Sequence, residues 1–207
     1  MQTYRALLIG NGEEVSATLL KKLAHEADIV LAVDGGADKA LRAHLTPDFV
    51  VGDLDSVSPR AKKIFAGKLV HVPTQENTDL EKALLWALKH NVTHLTLAGF
   101  VGKRWDFSLG NLLTLCAYAR KCKVCVAGEH WRMYPLVKST QLPCAKGKRM
   151  SIIPLKPCSG VTLTGCHYPL KNARLLPGTT RTLSNQTTAT RVGVKFTRGT
   201  LLIYLEN

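Results

Sequence analysis

The stretch Ile29-Val30-Leu31-Ala32-Val33-Asp34-Gly35-Gly36, followed closely by Phe49-Val50-Val51-Gly52-Asp53-Leu54-Asp55-Ser56, decides the fold. Each half is a short, β-branched apolar run that gives way at once to glycine and aspartate. Runs of this kind are the strands of an open parallel sheet, and the residues just beyond their carboxyl ends line its ligand crevice. Ala6 to Ile9, Leu69 to Val72, Leu95 to Ala98 and Val124 to Ala127 repeat the pattern. Between them, Leu80, Ala83, Leu84, Ala87 and Leu88 follow the stripe of an amphipathic helix, as do Leu109, Leu112, Leu113 and Cys116. Alternating strands and helices predict an α/β domain with a mostly parallel sheet and flanking helices.

After about residue 135 the texture changes. Prolines at 143, 154, 157, 169 and 177 and many threonines accompany short runs such as Met150 to Ile153 and Val161 to Thr164. Val192, Val194 and Phe196, then Leu201, Ile203 and Leu205, alternate with period two. This half reads as an all-β sandwich, with Thr197-Arg198-Gly199-Thr200 as a hairpin turn between the last two strands. The expected division is residues 1–138 for the α/β domain and 139–207 for the β domain.

The chain has 207 residues, 45% of them hydrophobic, enough for a real core. No run approaches the about 20 apolar residues of a membrane helix, and Met1-Gln2-Thr3-Tyr4-Arg5 opens no signal peptide, so a cytoplasmic location with no membrane partner is expected. The six cysteines are expected to be reduced thiols, since no secretory signal accompanies them. The net charge of +13 belongs wholly to the C-terminal half, where residues 107–207 carry 15 bases against Glu129 and Glu206 alone. Those bases are scattered and lack a zinc-finger, RNP or KH signature, so no nucleic-acid partner is expected.

Four aspartates, Asp34, Asp53, Asp55 and Asp79, stand at or beside the ends of apolar runs. Carboxylates gathered at strand ends offer hard oxygen ligands to Mg²⁺, whose shell waters and substrate phosphates complete. Asp53 and Asp55 would face opposite sides of a continuing strand, so Gly52 must let the chain turn if both are to reach one metal. A plainer role for Asp53 and Ser56 is to cap a turn or the helix at Pro59-Arg60-Ala61. Thr78-Asp79-Leu80-Glu81 fits a capping box with Thr78 as N-cap, and Lys82 follows one position beyond it, within reach of a phosphate at that helix terminus. Gly99 to Asp106, with Gly102, Lys103 and Arg104, is a strand-to-helix loop rich in glycine and positive charge. It is neither a Walker A loop nor a G-x-G-x-x-G turn. No histidine lies in metal-pair or triad spacing, and the signals converge on metal-assisted phosphoryl chemistry.

Three strings, Ala32-Val33-Asp34-Gly35-Gly36-Ala37-Asp38, Pro47 to Ser56, and Asn77-Thr78-Asp79-Leu80-Glu81-Lys82-Ala83-Leu84, closely resemble the thiamine pyrophosphokinase family in order and spacing. The loop Gly102-Lys103-Arg104-Trp105-Asp106-Phe107-Ser108-Leu109-Gly110-Asn111-Leu112 is similar to a further family motif, with Lys103 and Phe107 where the family carries glycine and histidine. Tyr168-Pro169-Leu170-Lys171-Asn172-Ala173 and Ser184-Asn185 resemble its C-terminal segment, without the glutamate and aromatic that usually follow. The resemblance implies an α/β domain followed by a β-sandwich, a homodimer, and transfer of pyrophosphate from ATP to the hydroxyl of thiamine, giving thiamine diphosphate and AMP. It also implies that Asp34, Asp53, Asp55 and Asp79 hold Mg²⁺, with Asp53, Asp55, Asp79, Arg104 and Asp106 forming the catalytic set. Thr78, Lys82 and Asn111 would support ATP, and Ser184 and Asn185 would contact the thiamine pyrimidine. A pyrophosphokinase for another hydroxymethyl heterocycle, such as a pterin, and a non-catalytic nucleotide- or thiamine-binding protein stay open as alternatives.

Overall fold

The computed structural model describes residues 2–207, which pack as two compact units. The first runs through Thr114 and takes in Lys121–Glu129; the second holds Leu115–Arg120 and His130–Asn207.

In the first unit the strands are β1 (Tyr4–Ile9), β2 (Ile29–Val33), β3 (Phe49–Gly52), β4 (Leu69–His71), β5 (Val92–Ala98) and β6 (Lys123–Ala127). They pair in parallel in the order β6-β5-β1-β2-β3-β4. The helices are α1 (Ala17–His25), α2 (Gly36–Arg42), α3 (Pro59–Ile64), α4 (Asp79–Lys89) and α5 (Trp105–Tyr118). β1 is buried on both faces: Leu7 and Ile9 pack with Leu19, Leu20 and Leu23 of α1, and the intervening Ala6 and Leu8 are buried as well. Chain order runs outward from β1 through β2, β3 and β4, then returns to β5 on the other side of β1. The connections after β1 and β5 therefore diverge, and such a switch point leaves a crevice at the strands' carboxyl ends.

α1, α3 and α4 begin where the sequence supplies caps, at Ser16, Ser58 and Thr78. Thr78 Oγ1 accepts from the Glu81 N–H at the start of α4, whose first turn carries Asp79 and Glu81 and whose last turn carries Lys89, in accord with the helix dipole. α4 buries Leu80, Ala83, Leu84 and Ala87, the stripe read from the sequence. α5 differs from expectation. Leu109 and Leu113 are exposed, whereas Ser108, Asn111, Leu115 and Tyr118 are buried. Of the expected stripe, Cys116 is buried and Leu112 half-buried, so hydrophobic periodicity found only part of the inward face of a helix that is apolar almost all round. Two polar side chains face inward because they hold the preceding loop.

The second unit is a sandwich. β7 (Trp131–Leu136), β9 (Arg149–Pro154), β12 (Asn185–Gln186) and β14 (Leu201–Glu206) pair antiparallel in the order β12-β9-β14-β7. β8 (Thr140–Pro143), β10 (Cys158–Thr164), β11 (Leu170–Leu175) and β13 (Arg191–Lys195) form a second sheet in the order β11-β10-β13-β8. Because β7 is hydrogen-bonded along its length to β14, residues 130–138 pack with this unit.

The predicted hairpin at Thr197-Arg198-Gly199-Thr200 does not form. β13 joins one sheet and β14 the other, so the segment crosses between layers. Val192 and Val194 meet Leu201, Ile203 and Leu205 across one core shared with Met150, Ile152, Val161 and Leu163. Period two told which residues face inward but not which sheet they face from. Gly199 makes the crossing, with φ +120° and so little room that a Cβ would stand 2.3 Å from Cys158 Sγ.

All six cysteines are free thiols, and no helix among the described residues is long and apolar enough to cross a membrane. Ile203 is fully buried between the sheets. Ile203→Ala should destabilise the protein by about 2–5 kcal/mol, read as a lower urea midpoint.

Candidate functional site

Asp34 directly follows β2, Asp53 follows Gly52 at the end of β3, and Asp79 is the first residue of α4. Their carboxylate oxygens lie within 4.8 Å of one another. Gly52 permits this approach: a Cβ there would sit 3.0 Å from Asp34 Cβ and 3.3 Å from an Asp79 oxygen. Asp34 holds φ +45°, an unusual conformation for any residue but glycine and one that aspartate tolerates better than most. The Asp53 N–H donates to Asp79 Oδ1 at 3.3 Å, and the Ser56 N–H to Asp34 Oδ1 at 3.3 Å. Asp55 is exposed and lies outside the group, its N–H donating to Asp53 Oδ1. The cap of α3 is Ser58, which accepts from the Ala61 N–H, so neither Asp53 nor Ser56 is spent on that task.

Lys82 makes the cluster tenable. Its side chain is 2% exposed, and Nζ donates to Asp79 Oδ1 at 2.9 Å and to Asp53 Oδ2 at 3.1 Å. Burial works against the ammonium, but its bonds to Asp79 and Asp53 outweigh that and raise its pKa. The hydrogen bond from Lys82 holds the Asp53 carboxyl below the usual range. Asp34 goes the other way, raised chiefly by burial and also by the Asp79 charge. Lys82 thus binds two carboxylates at the helix terminus where the sequence placed it within reach of a phosphate. Three carboxylates with one ammonium form a hard, net-anionic donor set, which fits a divalent cation.

The cluster borders a cavity of about 430 Å³ lined by Asp34, Asp79, Thr78 and the loops after β1 and β5. Gly10, Asn11 and Gly12 form one wall; Gly99, Phe100, Gly102, Lys103 and Arg104 form another. Asn111 lines it too, and its Nδ2 donates to Phe100 O at 2.7 Å. Ser108 Oγ accepts from the Gly102 N–H at 2.9 Å and donates to Arg104 O at 2.8 Å. These are the inward-facing polar residues of α5. Arg104 is exposed, pairs with Asp106 through Nε and Nη2, and lies 4.3 Å from the centre of the Phe107 ring. That ion pair raises the Arg104 pKa and lowers that of Asp106.

Ser184 and Asn185 lie in the second unit beside a separate cavity of about 370 Å³, with Arg149, His167, Tyr168 and Glu206. Ser184 is exposed with φ +56°. Asn185 is buried and occupied: Oδ1 accepts from the Tyr168 and Gln186 N–H groups, and Nδ2 donates to Tyr168 O. Its side chain shapes the Tyr168 segment of the cavity wall.

Sequence reasoning missed two features. The Gly10-Asn11-Gly12 wall carries the same apolar-run-to-glycine signal as β2 and β5 and was open to the same reading. Lys39, a buried cation on α2, had no signal at all, because nothing in a sequence marks one lysine of many as buried.

Residues 20–126 match the family model described as "Thiamin pyrophosphokinase, catalytic domain", and residues 138–201 match "Thiamin pyrophosphokinase, vitamin B1 binding domain". Thiamine pyrophosphokinase of Bacillus subtilis is 28% identical over 186 residues, covering 86% of this chain and 87% of that protein. Thiamin pyrophosphokinase 1 of Caenorhabditis elegans is 24% identical over 214 residues, covering 95% and 88%. Among solved structures, the B. subtilis enzyme aligns with a TM-score of 0.85 at 24% identity, covering 98% of this chain and 99% of that one. The Candida albicans enzyme aligns with a TM-score of 0.84 at 17% identity, covering 99% and 89%. At such identities the structural likeness establishes the fold.

Removing the ammonium from the cluster has a defined pH signature. The stabilisation that Lys82 gives Asp53 is present above the ordinary carboxylate pKa of about 4 and is lost as pH falls through the lowered value. Lys82→Met should cost about 1–3 kcal/mol at neutral pH and shrink the acid-induced loss of stability below about pH 4. Urea unfolding across that range measures both.

Proposed function

Since the chain belongs to the thiamin pyrophosphokinase family, we infer that it transfers the pyrophosphoryl group of ATP to the hydroxyl of thiamine, releasing thiamine diphosphate and AMP. The observation that carries this reading to particular residues is the convergence of Asp34, Asp53 and Asp79 at the edge of a glycine-walled cavity. The thiamine oxygen forms a bond to the β-phosphorus, the bond from that phosphorus to the bridging oxygen of AMP breaks, and the hydroxyl proton leaves to a base. Transfers of this kind depend mainly on positioning and charge neutralisation.

Mg²⁺, held by Asp34, Asp53 and Asp79 with Asp55 at the rim, would neutralise the polyphosphate. Lys82 keeps Asp53 ionised, and so ready to bind a cation, down to low pH. Arg104 and Lys103 bring positive charge to the cavity, while Thr78 and Asn111 fix the α4 terminus and the loop after β5. Asp106 is a weak proton acceptor while paired with Arg104. We assign ATP to the residues 1–138 expected to hold it, and the thiamine pyrimidine to Ser184 and the surface shaped by Asn185 within residues 139–207. The active form in this reading is a homodimer. Its support is a stripe on α5, where Trp105, Leu109 and Leu113 follow one another at intervals of four and are 84%, 59% and 49% exposed.

Incubation with ATP, Mg²⁺ and thiamine should yield thiamine diphosphate and AMP, identified by mass spectrometry. ADP as product, or reaction with a hydroxymethylpterin in place of thiamine, would refute the assignment. Asp53→Asn should lower kcat by about 10²–10³-fold, and the rise in Tm on adding Mg²⁺ to the unsubstituted protein should disappear in it. For the dimer, light scattering of Leu109→Asp/Leu113→Asp should report a monomer; an unchanged mass would exclude that stripe from the interface.

A further inference from the structure

Lys39 is the charged side chain that the site so far leaves without a task. It lies on α2, five residues beyond Asp34, and is 2% exposed. Nζ donates to Gly12 O at 2.8 Å and to Glu13 O. Those carbonyls belong to the cavity wall after β1, whose N–H groups reach across to the wall after β5. Gly10 N donates to Ala98 O at 2.8 Å, Gly12 N to Gly99 O, and Glu13 N to Val101 O at 2.7 Å. Nζ also lies so close to Gly99 that a Cβ there would stand 3.1 Å from it. One ammonium therefore sits where the two walls are stitched together.

A buried ammonium is a costly way to hold two carbonyls. Burial drags the Lys39 pKa down to about 8, with Lys103 and Arg42 pushing the same way and Glu14 and Glu13 opposing. A methionine would fill the space without that penalty, though it would leave both carbonyls unpaired. What the charge adds beyond a strut is a fixed positive potential beneath a cavity suited to an anion. We propose that Lys39 is a positioning residue for the nucleotide: its ammonium locks the Gly10–Glu13 wall against the Gly99–Gly102 wall and supplies positive potential where the polyphosphate binds. This rests on the assignment of ATP to that cavity.

The charge makes opposite demands on binding and on stability. Because the folded pKa lies below that of an unfolded lysine, the unfolded chain holds more protons between about pH 8 and about pH 10.5, so Lys39 lets stability rise with pH across that window. Nucleotide affinity should fall over the same interval as the ammonium becomes a neutral amine. A lysine serving only as a strut would give the first trend without the second.

The test is calorimetric titration of α,β-methylene-ATP with Mg²⁺ into the full chain at about pH 7 and about pH 9, for the unsubstituted protein and Lys39→Met. The unsubstituted protein should bind several-fold more weakly at the higher pH. Lys39→Met should bind about 10-fold more weakly at the lower pH and lose the pH dependence. In turnover its KM for ATP should rise while kcat at saturating ATP stays within about 3-fold. A folded Lys39→Met with unchanged affinity, or one that loses kcat at unchanged KM, overturns the proposal. If Lys39→Met does not fold, the pH dependence of the unsubstituted protein decides: equal affinity at both pH values overturns the proposal. Absence of nucleotide binding by the unsubstituted protein would overturn the ATP assignment and the proposal with it.

Discussion

Lys82 bonded to Asp53 and Asp79 is the interaction on which the site turns. Three carboxylates within 4.8 Å repel one another, and Asp34 adds a desolvation cost because it is buried. A single ammonium, bonded to two of the three, offsets enough of that repulsion for the cluster to persist. The residual negative charge leaves a hard anionic donor set that fits a divalent cation.

The parallel sheet supplies the geometry. Strands that run the same way deliver their carboxyl ends to one edge, so Asp34 from β2 and Asp53 from β3 arrive side by side, and the N-terminus of α4 adds Asp79. The return of the chain to β5 beside β1 opens the crevice next to them. The two glycine walls are then joined by backbone hydrogen bonds and fastened by Asn111, Ser108 and Lys39. Each of these three is a buried polar group bonded to the backbone of a cavity-lining loop, and Asn111 lines the cavity as well. Rigid backing of this kind is what positioning catalysis requires.

In the second unit two sheets share one apolar core, and the β13-to-β14 crossing at Gly199 carries the chain between them. Asn185 spends its side chain on the backbone of Tyr168 and Gln186, leaving Ser184 as the exposed member of the pair.

The sequence by itself determined the strand-to-glycine-to-aspartate repeats, the capped α4 with its buried stripe, the all-β second half and the family. Those are local signals, carried by period, turn chemistry and spacing, and they survive folding because each is decided within a few residues. Tertiary structure alone decided which of four aspartates converge, that Lys82 faces carboxylates, which side of α5 is buried, and that β13 and β14 part into different sheets. These depend on what lies across the fold from each residue. A lysine has the same letters whether it meets water, a phosphate or two carbonyl oxygens, and only packing tells Lys39 from the rest.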